Sequence, residues 1–446
     1  VEKDVVPHYV IIGNGVAGLS AASAIRSTDR ECEITVFSDE PHRFYSRPGL
    51  AYLLTGTIPE KQLYPYPKSY YQERDIRLIH SRVEEILSAD KRVRLADGGM
   101  LAYDALLMAT GARAIKPRIP GVDLNGVVTL DTLSDARRIL KLARRARRAV
   151  VIGGGITALE LAEGLAARGV RVHYLLRKDR YWSNVLDGDE SHLVLSRLEE
   201  EGIQIHTNTE LSCVVESRGR VGGVETDAGE RIGCEILAIA IGIRPRLDLA
   251  EASGVDVDRG IIVDQSLRTN LPEIYAAGDT AQVHDPRTGE YQLDTLWWVA
   301  AEQGRVAGLN MAGGSARYVR AVPFNVTRIG RLTTTIIGAV GNGESDLDLE
   351  TIARGDSESW RQHPTCIVLE QDKPHDRVRL ILAGERILGA LIMGDQSLSK
   401  PLQYLISKAV DITPIRRDLL ARDADWRAII TDHVADLVRE AHAAGN

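Results

Sequence analysis

The chain has 446 residues, a hydrophobic fraction of 44% and a net charge of −7. That length exceeds what one core usually supports, so two to four domains are expected, and the acidic balance argues against a general nucleic-acid binder. Four cysteines, at 32, 213, 234 and 366, form no Cys-x-x-Cys pair and no metal-ligand spacing, which points to a reduced cytoplasmic protein without a metal site.

In chain order, Val1-Glu2-Lys3-Asp4 lacks the basic start and apolar core of a signal peptide. Tyr9-Val10-Ile11-Ile12 is an apolar strand running into Gly13-Asn14-Gly15-Val16-Ala17-Gly18, and a βαβ unit is expected over 9–37. Asp39 and Glu40 follow its second strand. A variable segment with Pro41, Arg47, Pro48 and Gly49 leads to an aromatic stretch at 64–71. Residues 106–111 read as a strand entering a loop, and the Pro/Gly stretch 116–121 marks a domain boundary. In the basic segment 136–148, Ile139, Leu142, Ala143 and Ala146 recur at helical spacing, predicting an amphipathic helix with a cationic, solvated face. A second strand–glycine unit follows, with Gly153-Gly154-Gly155-Ile156-Thr157-Ala158 after Ala149-Val150-Val151-Ile152. A long helix is expected over 187–201, alternating strands to 243, and a loop at Arg244-Pro245. Strand and loop resume over 260–279, and a helix runs to Met311. From Val322 the pattern turns to short strands at 333–337, 365–369, 378–382 and 387–393, then helices after Leu402. No run of about 18 uncharged apolar residues marks a membrane span.

Each glycine fingerprint is a dinucleotide-binding layout. Gly13 allows the tight turn, Gly15 lets the backbone approach a pyrophosphate, and Gly18 lets the helix pack on the strand. The helix start then offers free N–H groups and a partial positive charge to the phosphates. Either Asp39 or Glu40 stands where a carboxylate would accept the ribose hydroxyls of an adenosine; spacing does not choose between them. Two such sites in one chain suggest hydride transfer from one dinucleotide to the other.

Far downstream stands Thr269-Asn270-Leu271-Pro272-Glu273-Ile274-Tyr275-Ala276-Ala277-Gly278-Asp279. Together with Ala109-Thr110-Gly111, Gly242-Ile243-Arg244-Pro245 and both fingerprints, it resembles the two-dinucleotide-fold flavoproteins, the pyridine nucleotide–disulfide oxidoreductase superfamily. The resemblance covers residues 1–320 strongly and the remainder loosely. It implies an α/β protein with two Rossmann-like domains: an FAD domain of residues 1–115 and 246–320, with an NAD(P)H domain of 116–245 inserted in it. A small α+β C-terminal interface domain, 321–446, ends in helices. It also implies FAD at Gly13, Gly15, Ala17 and Gly18, with Ala109, Thr110 and Gly111 at the crossover. Gly278 and Asp279 would close on the ribityl chain, and Trp297 and Trp298 would border the flavin. NAD(P)H would take Gly153, Gly155, Ile156, Ala158 and Gly242, with Glu160 near the nicotinamide.

The strand Val172-His173-Tyr174-Leu175-Leu176 ends without an acid and continues Arg177-Lys178-Asp179-Arg180. Relatives that use NAD usually carry a Glu in the place of Leu176. A carboxylate there would repel a 2′-phosphate, whereas a guanidinium binds one. NADPH is therefore expected over NADH, with Arg177 the first ligand and Arg180 the second. Disulfide-reducing members carry cysteine after the first βαβ unit; here Phe44-Tyr45-Ser46-Arg47-Pro48-Gly49-Leu50-Ala51 stands instead. Pro48 cannot form a thiolate. The stretch resembles that of rubredoxin reductases, ferredoxin reductases and the flavin half of nitrite reductases, which implies Arg47 along the flavin pyrophosphate and Pro48 beside the ring. Ala51 departs from the Ser-Lys of several ferredoxin reductases. The expected activity is FAD-dependent NAD(P)H oxidation without a redox cysteine, delivering electrons to a ferredoxin- or rubredoxin-type protein or a small acceptor. A flavin-bearing structural or regulatory subunit of a larger redox complex, resembling apoptosis-inducing factor, or an NAD(P)H oxidase or quinone reductase, is the alternative. Homodimer and hetero-complex both stay open, since the apolar pattern of the tail, 422–446, suits a partner.

Overall fold

The computed structural model describes residues 6–285, 289–341, 366–373 and 376–444. The opening four residues and Thr365, the expected start of one strand, lie outside them. Three layered units share the chain, and each follows from a hydrophobic pattern visible in its strands.

The first unit is a parallel five-stranded sheet in the order Ile274–Ala276, Ala105–Met108, His8–Ile12, Glu33–Ser38, Ile76–His80. Apart from the edge strand Ile76–His80, its strands are almost wholly buried, as parallel strands covered on both faces must be. Helix Val16–Thr28 crosses from the first strand to the second and packs on helix Trp297–Met311. The two helices approach backbone to backbone: a Cβ on Gly304 would stand 2.1 Å from the Ala17 carbonyl oxygen. Only glycine permits that separation.

The second unit repeats the plan, ordered Gln204–His206, Arg171–Leu175, Arg148–Ile152, Ile236–Ile239, Val127–Val128, again parallel. The chain passes between the units through an antiparallel ribbon of Ala112–Ala114 and Ile243–Pro245. The helix expected over 136–148 is instead Leu133–Ala143. Thr132 and Asp135 form a reciprocal capping box that starts it earlier. It stops early because Arg148 already belongs to the strand that pairs with Arg171.

The third unit is an antiparallel sheet, Phe324–Ile329, Leu332–Gly338, Arg386–Met393, Asp376–Ala383, Cys366–Lys373. Alternation divides its faces. Ile381, Leu391 and Met393 join the core of the second unit. Leu380, Leu382, Ala390 and Ile392 join a separate core with helices Ser399–Ser407, Thr413–Leu419 and Trp426–Ala444. The apolar stripe of the tail helix is thus used within the chain: Ile430 is fully buried, with Ile429, Val434 and Leu437 packed beside it.

Candidate functional site

Two glycine turns at the carboxyl ends of two parallel sheets define the candidate site, the position where open α/β sheets bind ligands. Gly13 has φ 122° and its missing Cβ would meet the Ala109 carbonyl oxygen at 2.0 Å. Gly153 repeats the geometry, with φ 131° and the Ala240 carbonyl oxygen at 2.1 Å. Both turns therefore lie pressed against the next strand's end, and no other residue type fits. Gly15 and Gly155 differ: a Cβ there would meet nothing within 4 Å. Each is the N-cap of a helix, Val16–Thr28 or Ile156–Ala166, and no side chain caps either one. Two cradles open to a phosphate, each at a helix start uncapped by any side chain, fit two dinucleotides.

Around the first cradle, Thr110 donates to the Arg246 carbonyl at 3.1 Å, and the Arg246 amide donates to the Gly111 carbonyl at 2.9 Å. The Gly278 amide donates to the Gln303 side chain at 2.8 Å, setting the turn that carries Asp279. The two acids left open by spacing separate in three dimensions. Asp39 is exposed and pairs with Arg246 at 3.2 Å. Glu40 accepts from Tyr45 Oη at 2.7 Å and pairs with Arg47 at 2.6 Å. Burial opposes the Arg47 charge, but Tyr45, Glu40, Asp279 and Asp131 around it raise its pKa above the ordinary value. Pro48 caps the helix Gly49–Thr55 and is exposed. Trp297 and Trp298 open the long helix Trp297–Met311. Trp297 is half-exposed, while Trp298 donates its indole N–H to the Phe324 carbonyl at 3.1 Å, a tie to the C-terminal sheet.

At the second cradle a cavity of about 400 Å³ opens. Gly153, Gly155, Ile156, Arg177, Arg180 and Gly242 line it. Ala158 lies beneath the turn, fully buried, and Glu160 is not on the cavity wall. It stands instead close enough to Tyr181 to disfavour that phenol's ionisation, which burial already pushes far up. The sequence reading missed Asp131, Trp182, Ser183 and Asn184, which also line it. The only advance signal was a polar stretch just ahead of the Asp187 helix cap. Among the described residues no cluster of three or more His, Cys, Asp or Glu is suited to a metal ion, and no helix is long and apolar enough to cross a membrane.

A sheet carrying one dinucleotide cradle, joined by a ribbon to a second such sheet, defines a two-dinucleotide oxidoreductase. Residues 7–304 match the model of the family described as Pyridine nucleotide-disulphide oxidoreductase. The chain belongs to that family, whose members are FAD- and NAD(P)H-dependent oxidoreductases. It is 33% identical to an NADH oxidase of Methanocaldococcus jannaschii over 342 residues, covering 74% of this chain and 75% of that protein. It is 32% identical over 290 residues to the rubredoxin-NAD(+) reductase of Ectopseudomonas oleovorans, covering 64% and 75%. In fold it is similar to a ferredoxin reductase of Rhodopseudomonas palustris, with a TM-score of 0.82, 24% identity and coverage of 96% and 99%.

Proposed function

We propose that this enzyme oxidises NADPH and delivers the electrons, through FAD, to a ferredoxin- or rubredoxin-type protein without a cysteine relay. The observation that carries this reading is Pro48, directly after Arg47 at the head of the helix Gly49–Thr55, with every cysteine elsewhere. Cys32 and Cys234 are buried just ahead of strands Glu33–Ser38 and Ile236–Ile239, at the sheet ends opposite the glycine turns. Cys213 and Cys366 sit in antiparallel strands outside both cradles.

When bound, FAD accepts a hydride and releases electrons one at a time, which no side chain here can do. The chain's own work is binding and orientation. In this reading residues 1–115 and 246–320 hold FAD: Gly15 and the helix start after it take its pyrophosphate, Gly13, Ala17 and Gly18 shape that turn, Arg47 neutralises the phosphates, and Asp279 accepts from the ribityl chain. Residues 116–245 hold the nucleotide. Leu176 is buried and offers no carboxylate to a ribose, while Arg177, Lys178 and Arg180 all stand on the cavity wall. That charge balance supports NADPH over NADH. For the acceptor, Arg138, Lys141, Arg144, Arg145 and Arg147 are exposed on and after the helix Leu133–Ala143. They offer an acidic electron-transfer protein a cationic face. The rubredoxin-reducing relative points to the same class of acceptor.

The test is anaerobic mixing of the purified holoenzyme with NADPH or NADH. Fast flavin bleaching with NADPH, slower with NADH, and reoxidation by a one-electron dye are expected. Absence of bleaching within minutes with either nucleotide overturns the reading.

A further inference from the structure

Two arginines of the C-terminal sheet stand out because they are buried. Arg377 and Arg379, on strand Asp376–Ala383, are 4% and 3% exposed. Two residues apart on a strand, they face the same way, toward the start of helix Gly188–Glu200 in the nucleotide unit. Two buried like charges persist only if paired. Arg377 pairs with Asp187 at 2.8 Å, and Arg379 pairs with the fully buried Glu190 at 2.9 Å.

Arg379 also reaches the backbone of the nucleotide unit. Its Nη2 donates to the Val185 carbonyl at 2.6 Å. The Val185 amide donates to the Trp182 carbonyl at 2.9 Å, and the Trp182 amide donates to the Gly154 carbonyl at 3.0 Å. Trp182 is held at φ 47°, a conformation that a bulky side chain adopts only when its surroundings impose it. Gly154, Trp182, Ser183 and Asn184 all line the cavity. A guanidinium of the third unit thus ends a run of backbone hydrogen bonds whose other end is the second glycine turn.

We propose that Arg379 is a positioning residue for the nucleotide: it clamps the turn 182–185 against the glycine loop and so preforms one wall of the cavity. This rests on the reading of that cavity as the nucleotide site. Ordering the turn before binding removes an entropic cost that the nucleotide would otherwise meet. Because the turn is common to both nucleotides, the clamp acts on affinity and not on the choice between them.

The test compares three variants of the FAD-loaded protein by calorimetric titration with NADP⁺ and with NAD⁺. Arg379→Lys keeps a charge for Glu190 but cannot span both Glu190 and Val185. Arg379→Met with Glu190→Gln leaves no buried charge unpaired, so it guards against simple unfolding. Arg377→Lys disturbs the same ion-pair cluster without touching Val185. Expected is an affinity about tenfold weaker for both nucleotides in the two Arg379 variants, with Arg377→Lys within about twofold of the parent. Deuterium uptake over 181–186 should rise in the Arg379 variants alone. Unchanged affinity in a folded Arg379 variant overturns the proposal, as does an equal loss in Arg377→Lys, which would assign the effect to the interface as a whole. A parent protein that binds neither nucleotide overturns the reading of the cavity, and this inference with it.

Discussion

Arg47 pairs with Glu40 at 2.6 Å and donates from its other terminal nitrogen to the Asp131 carbonyl at 2.5 Å. One side chain therefore joins the first glycine unit to the second, since Asp131 lies on the wall of the nucleotide cavity. Glu40, fixed by Arg47 and by Tyr45, holds the guanidinium in place, and Asp39 stays at the surface with Arg246.

Arg47→Ala removes both connections and the positive charge proposed to face the flavin pyrophosphate. Each charged hydrogen bond contributes roughly 1.5–3 kcal/mol, reduced here because the side chain is partly solvated. The variant should lose FAD on dialysis, with affinity down about tenfold or more, read as the ratio of flavin to protein absorbance. Full flavin retention would remove Arg47 from the site.

Arg177→Glu places a carboxylate beside the expected 2′-phosphate. The preference for NADPH should invert, by about 10–100-fold in kcat/KM. Arg180→Ala should show a smaller loss of the same sign. A preference that stays the same in both variants would place the phosphate elsewhere in the cavity.

Gly153→Ala puts a methyl 2.1 Å from the Ala240 carbonyl oxygen at a φ of 131°. The combined strain and overlap should cost about 3 kcal/mol or more. Because Gly13 and its sheet are untouched, the variant should keep FAD while losing reduction by either nucleotide. Normal bleaching by NADPH would show that the second turn is not where the nucleotide sits.

Glu163 lies on the helix after that turn, and burial raises its pKa from 4.5 to about 7, with Glu201 adding to the shift and Arg328 opposing it. The sign is that of a carboxyl easier to protonate folded than unfolded. The folded state holds more protons between the two values, so this group makes stability fall as pH rises from about 4.5 to about 7. Glu163→Gln should flatten that slope and raise Tm most above the upper value. Equal Tm profiles for the two proteins would refute the shift.

Part of this molecule is local and so was legible in advance. The first βαβ unit, the second glycine turn, the helix after Asp187 and the strand-rich C-terminal unit follow from periodicity, caps and glycine, each of which acts over a few residues. The basic helix was misplaced because the apolar spacing of Ile139, Leu142, Ala143 and Ala146 takes no account of the Thr132–Asp135 cap or the claim of Arg148 on the neighbouring strand. Trp182, Ser183 and Asn184 were missed because a short polar stretch ahead of a helix cap does not by itself mark a cavity wall; they reach it only because the Trp182 amide meets Gly154.

The sequence by itself determined the two glycine turns, since a turn whose missing Cβ faces a carbonyl oxygen at about 2 Å admits glycine alone. It also determined the basic edge after Leu176 and the proline that follows Arg47. The tertiary structure decided which acid Arg47 engages, where the nucleotide wall runs, and that Arg379 reaches Val185 from 194 residues away. Such pairings are set by how three sheets pack on one another, and no spacing along the chain encodes them.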